Sequence, residues 1–142
     1  MPAHGSYRTS AAAKAAGIPL KDFTRNLGRK VIKFAGPDPG KGRPREFNLS
    51  NVYSIAIGHA LTKVLVPPTA AMDIAKMFLE SQRGRKSGKP FESGRTLLLV
   101  SNGVGSIINL QADEDIAAYL QDATIVVDIG KIISTVNSRL FH

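Results

Sequence analysis

Glycine and proline divide this chain into short segments, and no other feature limits its possible folds as strongly. Gly17 and Pro19 separate two short helix-forming runs, and the stretch GPDPGKGRPREFNL over 36–49 excludes a helix. The two consecutive prolines at 67–68 must end any helix that precedes them. Residues 81–95 are polar, basic and rich in glycine, as linkers are. The chain is therefore expected to fold from short helices and strands joined by turns.

The first two runs predict a pair of helices. Thr9 or Ser10 can cap a first helix over residues 11–16, whose alanines favour helix formation. Gly17 suits the left-handed position after a helix, and Pro19 suits the first turn of the next helix. That second helix is expected to have a basic outer face and an apolar inner face. Its apolar positions recur three and four residues apart, at Leu20, Phe23 and Leu27.

Two more helices and a small α+β unit are predicted after the Gly- and Pro-rich stretch. Asn48 can cap a third helix and Thr69 a fourth. Beyond the linker, TLLLVSNGVGSIINL predicts two strands joined by a hairpin turn at Asn102-Gly103. A short helix over 113–120, a strand in TIVVDI and a closing helix over 131–140 follow.

The predicted C-terminal unit has more apolar surface than one small core should need. Its excess apolar residues are Val126, Ile129, Ile132, Ile133, Val136 and Leu140. Apolar surface left over in this way usually marks an interface. We therefore expect a homodimer held together through residues 94–142. The alternative is a self-contained domain with a ligand pocket.

Positive charge is concentrated in the first part of the chain. Residues 1–90 contain 16 Lys or Arg and 5 Asp or Glu, a net charge of +11, whereas residues 91–142 contain 3 and 6, a net charge of −3. A basic module joined to an acidic one is typical of proteins that bind a polyanion. Surface charge that only keeps the protein soluble is the alternative.

The first part has the outline of a winged helix-turn-helix. Two helices are joined through Gly-Ile-Pro, the second is basic, and a hairpin rich in Gly, Pro and Arg follows. Such a helix can enter the major groove of DNA, while the arginines of the hairpin contact the backbone or the minor groove. An ordinary helical hairpin with a solvated charged face is the alternative. The combination favours binding of double-stranded DNA.

Two motifs extend this outline into a family resemblance: AKAAGIPLKDFTRNL and RPREFNLSNVYSIAIGHALTKVLVPPTAAMDIAKMF. Through them, residues 9–80 resemble the DNA-binding domain of the MerR family of bacterial regulators. The first motif is similar to the family's opening helix, turn and arginine-bearing recognition helix. In the second, Arg45 and Phe47 occupy the family's Arg-x-Tyr positions in the wing. The resemblance implies a transcriptional regulator, located in the cytoplasm on the bacterial nucleoid.

Members of that family continue into a long dimerisation helix, often followed by a cysteine metal site. This chain contains no cysteine, and its three histidines are far apart in sequence, so we expect no metal or other cofactor. No catalytic triad, carboxylate pair or activated nucleophile can be argued from the sequence, so an enzyme is not expected. No apolar run is long enough to span a membrane, so we expect no membrane among the partners of this chain.

The predicted fold class is α+β, with a winged helix-turn-helix DNA-binding domain over 1–80, a linker over 81–93 and a small α+β unit over 94–142. Phosphate neutralisation is expected from eight basic residues: Lys14, Lys21, Arg25, Arg29, Lys30, Lys41, Arg43 and Arg45. Base reading is expected from the outer face of the second helix, at Lys21, Asp22, Thr24 and Arg25. Two alternatives stay open: an excisionase-like factor that bends DNA, and a subunit whose basic face binds an acidic protein.

Overall fold

A computed structural model of the chain describes residues 6–29, 45–81 and 93–141, with side chains at 79–81 left out of the description. The described residues form five α-helices and two small antiparallel sheets, which confirms the predicted α+β class. In chain order the elements are β1 (Tyr7–Arg8), α1 (Thr9–Ala16), α2 (Leu20–Gly28), β2 (Glu46–Phe47), α3 (Leu49–Thr62), α4 (Pro68–Ser81), β3 (Arg95–Ser101), β4 (Val104–Leu110), a turn of 3-10 helix (Ile116–Tyr119), β5 (Ile125–Asp128) and α5 (Ile129–Leu140). Within this described part, no helix is both long enough and apolar enough to cross a membrane.

The ends of the helices match the sequence pattern at some positions and differ at others. Gly17 has a φ of 78° and its N–H closes α1 onto the carbonyls of Ala13 and Lys14, as predicted for a left-handed terminus. Thr9 is the first residue of α1 and not its cap; the capping position belongs to Arg8, whose side chain makes no capping hydrogen bond. Pro19 precedes α2 instead of lying in its first turn, because its ψ of 135° is extended.

For the third and fourth helices, one predicted cap is confirmed and the other is wrong. Asn48 caps α3 as predicted: its side chain accepts a hydrogen bond from the Asn51 N–H, and the Asn51 side chain accepts one from the Asn48 N–H. Thr69 was expected to cap α4 but lies inside it, since α4 begins at Pro68. Proline is well suited to a first helical position because its missing N–H needs no partner there.

The C-terminal strands form one three-stranded sheet in the order β4-β3-β5, with both neighbours antiparallel to β3. The hairpin turn lies at Asn102-Gly103, where φ is 53° and 75°. Two consecutive positive φ angles define the turn type that matches the twist of a hairpin, so the Asn-Gly prediction is confirmed.

Residues from both ends of the chain share one hydrophobic cluster. On β3 and β5, Leu98, Val100 and Val127 belong to the same cluster as the buried alanines of α1 and the apolar residues of α3. From α5, Ile129, Ile133 and Val136 join it. The sheet and α5 therefore pack directly against the helices of the first half. The domain boundaries at 80 and 94 stay a prediction, since most of the intervening segment lies outside the described residues.

This packing changes the argument for a dimer. The apolar face of α5 was expected to be left over for a second chain. In the structure Ile133 is 5% exposed and Val136 is 1% exposed, because α1 and α3 of the same chain cover that face. Val126, at 43% exposure, is the residue of the expected set that is exposed. The apolar surface from which the homodimer was predicted is therefore largely buried within the same chain.

Candidate nucleic-acid interface

The inner face of α2 anchors the helix to the rest of the protein. Phe23 is fully buried and its ring lies 5.6 Å from the ring of Phe47, measured between centroids. Leu27, four residues later, is 8% exposed. Leu20 was expected on the same face but is 50% exposed. It occupies the first residue of the helix, where it reaches past the edge of the core. Two buried residues thus fix which way α2 faces.

The opposite face of α2 consists of cations. Four residues turn an α-helix by about 400°, so residues at this spacing follow each other along one side. Lys21 and Arg25 in α2 have this spacing with Arg29, the residue that follows its end, and all three are exposed. They lie on the side opposite Phe23 and Leu27. The stripe from Lys21 to Arg29 covers eight residue steps, about 12 Å along the helix axis. We call these three residues the cationic stripe.

One member of the cationic stripe has an acidic neighbour. An Nη of Arg25 donates to a carboxylate oxygen of Asp22 at 2.9 Å, and the two side chains are 52% and 35% exposed. A pair this exposed adds little stability, on the order of 0.3–0.5 kcal/mol for residues on adjacent helix turns. Its effect is on geometry: the carboxylate holds the guanidinium at the helix surface. Asp22 is therefore better described as a support for Arg25 than as an independent donor or acceptor.

The remaining predicted contacts lie at several places. Thr24 is exposed on the flank of α2, and Lys14 is exposed on α1. Arg45 is half-buried just before β2 and engages other groups of the chain. Lys30, Lys41 and Arg43 lie outside the described residues. The structure thus describes seven of the ten predicted contact residues and brings three of them, Lys21, Arg25 and Arg29, into one row.

A short two-stranded sheet connects the residues just before α1 with the residues just before α3. Tyr7 pairs with Phe47 and Arg8 with Glu46. Phe47 is fully buried, so it joins this sheet to the inner face of α2. This pairing could not be predicted from the sequence, because each strand is only two residues long.

The turn between α1 and α2 is held from the far end of the chain. An Nη of Arg139, in the last turn of α5, donates to the Ala15 carbonyl at 3.0 Å. A Cβ on Gly17 would lie 2.8 Å from the same nitrogen, so the glycine leaves room for this contact as well as adopting positive φ. A cation at a helix C-terminus also interacts favourably with the helix dipole. Sequence reasoning missed Arg139, because nothing local links residues 124 positions apart.

His59 is half-buried on α3. Burial lowers the pKa of its imidazole, Lys63 lowers that pKa further, and Asp22 raises it. Among the residues that the structure describes, no group of three or more His, Asp or Glu side chains could hold a metal ion.

Comparison with protein-family models and with curated proteins finds nothing that matches this chain.

Proposed function

We propose that the chain is a sequence-specific double-stranded DNA-binding protein, a MerR-like transcriptional regulator whose α2 lies in the major groove. The observation that carries the proposal is the cationic stripe on the outer face of α2, opposite two buried anchors. The major groove is about 12 Å wide and admits one α-helix. A stripe about 12 Å long can reach phosphates at its ends while its centre meets base edges.

The three cations have different roles in this proposal. Lys21 and Arg29 lie at the two ends of the stripe and neutralise phosphates. Arg25 lies between them, and its guanidinium can donate two parallel hydrogen bonds to a guanine edge. Asp22 supports this role, because the 2.9 Å contact restricts the guanidinium before DNA arrives. A restrained donor loses less side-chain entropy on binding.

The turn before α2 supports the same proposal. Gly17 and the buried Ile18 give a tight connection, so α2 is presented at a fixed angle to α1. The small side chains of α1 are nearly all buried, which allows close packing with its neighbours. A recognition helix needs such a rigid support, since a displacement of its donors weakens base reading more than phosphate contact. The wing at 36–49 stays part of the proposal on the sequence resemblance alone. A dimeric state stays part of it because a single winged domain makes few contacts with DNA and symmetry would double them.

The salt dependence of duplex binding tests the proposal. Affinity for a DNA duplex should fall steeply with salt, with a slope of about −0.9 in log–log form for each phosphate contacted. Lys21→Ala and Arg29→Ala should each reduce the slope by about 0.9 and weaken all sequences alike. Lys76→Ala is the matched control, because Lys76 lies on α4 beside Asp73 and away from the stripe. A weak slope that none of these variants changes would favour an acidic protein partner instead.

Two further variants separate base reading from charge. Arg25→Ala should cost about 1–3 kcal/mol at one base position and little elsewhere. Asp22→Ala removes the acceptor that supports Arg25 and one negative charge, so affinity for random DNA should rise while discrimination at that position falls. A uniform loss for Arg25→Ala would make Arg25 a phosphate contact. The excisionase-like alternative requires a large bend in the DNA. Gel shifts with the binding site placed at different positions along the duplex measure that bend.

A further inference from the structure

A basic cleft lies where the end of α1 meets α3 and α5. Its volume is about 230 Å³. Four nitrogen-bearing side chains line it: His59 and Lys63 from α3, Lys131 and Arg139 from α5. Thr135 adds a hydroxyl, and alanine, isoleucine and valine side chains form the remaining wall. Of the residues that the structure describes, none that lines this cleft is acidic. It is not part of the cationic stripe, which lies on α2.

Among the described residues, the three cations of the cleft (Lys63, Lys131 and Arg139) form no ion pair, although one carboxylate, Asp128, lies near Lys131. That carboxylate pairs with Arg95 at 2.8 Å and accepts the backbone N–H of Lys131, and the Lys131 ammonium is close enough to help lower its pKa. Like charges gathered around an apolar-walled cleft repel one another, and the repulsion is relieved when an anion enters.

The size and the donors of the cleft identify the anion. Sites for drug-sized ligands usually exceed about 300 Å³, so this cleft suits a compact group. A guanidinium fork and two ammonium groups match the several acceptor oxygens of a phosphate better than the single pair of a carboxylate. We propose that the cleft binds the phosphate group of a small phosphorylated ligand, between Lys63, Lys131 and Arg139.

The cleft also adjoins the turn of the helix-turn-helix. Arg139 uses one Nη to hold the Ala15 carbonyl, and its remaining N–H groups are available to a ligand in the cleft. A phosphate on Arg139 would therefore contact the side chain that also holds the end of α1. Because it binds only the folded state, such a ligand stabilises the protein. The inference rests on the cleft alone and does not require that the chain bind DNA.

The test uses inorganic phosphate and pyrophosphate as probes on the full chain. Each is titrated while the thermal midpoint is followed, with sodium chloride holding ionic strength constant. The midpoint should rise saturably with pyrophosphate. In the double variant Lys63→Gln with Lys131→Gln, half-saturation should move to at least tenfold higher concentration. Lys76→Gln, at a half-buried lysine on α4, should leave it unchanged. Both cleft lysines are exposed, so their replacement preserves the fold.

Duplex DNA provides the second arm, since its backbone offers the same phosphate chemistry. If the double variant weakens duplex binding as strongly as Arg29→Ala does, and pyrophosphate gives no saturable rise, the cleft contacts the DNA backbone and the small-ligand proposal is overturned. An equal response of the wild type and the double variant to pyrophosphate would also overturn it. Saturable pyrophosphate binding that depends on the two lysines supports it, whatever the result with DNA.

Discussion

Leu65 occupies a backbone position that normally belongs to glycine. Its φ is 68°, and it follows the end of α3 in the connection to α4. The Val66 N–H reaches the Leu61 carbonyl at 3.2 Å and the Leu65 N–H reaches the Thr62 carbonyl at 3.3 Å. This pair of hydrogen bonds is the pattern that closes many helices around a left-handed glycine. The leucine side chain is 93% exposed, so it contributes almost no burial in return.

We therefore predict that Leu65→Gly stabilises the protein. The left-handed conformation costs an L-residue about 1–2 kcal/mol, and glycine avoids that cost. Glycine also loses more backbone entropy on folding, which takes back about 0.4–1 kcal/mol. The net gain is about 0.5–1 kcal/mol in the free energy of unfolding. For a chain of this length, about 1 kcal/mol raises the melting temperature by about 2–4 °C.

Urea denaturation of Leu65→Gly and Leu65→Ala tests the reasoning. The alanine variant keeps the Cβ that causes the strain and removes only exposed atoms, so its unfolding free energy should stay within about 0.5 kcal/mol of the wild type. Stabilisation by glycine with no change by alanine assigns the effect to the backbone. If both variants are destabilised equally, the leucine side chain makes contacts that its exposure does not show, and the account of this turn is wrong.

Three other substitutions test separate parts of the structure. Gly17→Ala should lower the unfolding free energy by about 1–2 kcal/mol from positive φ alone, and the loss should shrink in an Arg139→Ala background, since the added Cβ meets the Arg139 guanidinium at 2.8 Å. Tyr53→Phe removes the hydrogen bond to the Asn137 side chain at 2.5 Å and should cost about 1 kcal/mol in urea titration. Partial burial raises the pKa of the Asp128 carboxyl. Hydrogen bonds from Arg95 and from the Lys131 backbone N–H outweigh this effect and hold the pKa below its usual range. The stabilisation lost in Asp128→Asn should therefore be largest near pH 7, and the difference from the wild type should shrink as the pH falls below about 4.

The sequence predicted those elements whose signals are local. Gly17, the Asn48 cap and the Asn102-Gly103 turn each follow from the conformational preferences of one or two residues. Helix starts were less predictable, because Pro68 and Thr9 can each occupy either the capping position or the first turn. Leu20 fits the apolar period of α2, yet the core ends before it. Period alone does not tell how far a core extends.

What the sequence could not predict is the contact between distant segments. The apolar face of α5 was assigned to a second chain, since nothing local shows that α1 and α3 would cover it. The Arg139 contact with Ala15 and the basic cleft arise from the same packing. The residues of the cationic stripe could be predicted, because the helical period and the position of the apolar face together determine which residues lie on the outer face.

Gly28 offers the most direct measurement of whether α2 lies in the major groove. It follows Lys21 by seven residues, two helix turns, and so lies on the side of the cationic stripe. Apart from its chain neighbours and the backbone of its own helix, a Cβ placed on it would have no atom of the described residues within 4 Å. Gly28→Ala and Gly28→Phe should therefore both preserve the fold, with alanine adding up to about 1 kcal/mol of stability. In duplex binding, alanine should behave as the wild type, whereas phenylalanine should weaken affinity at least tenfold by holding the helix out of the groove. Wild-type duplex affinity in Gly28→Phe would contradict the proposal that this face of α2 binds DNA.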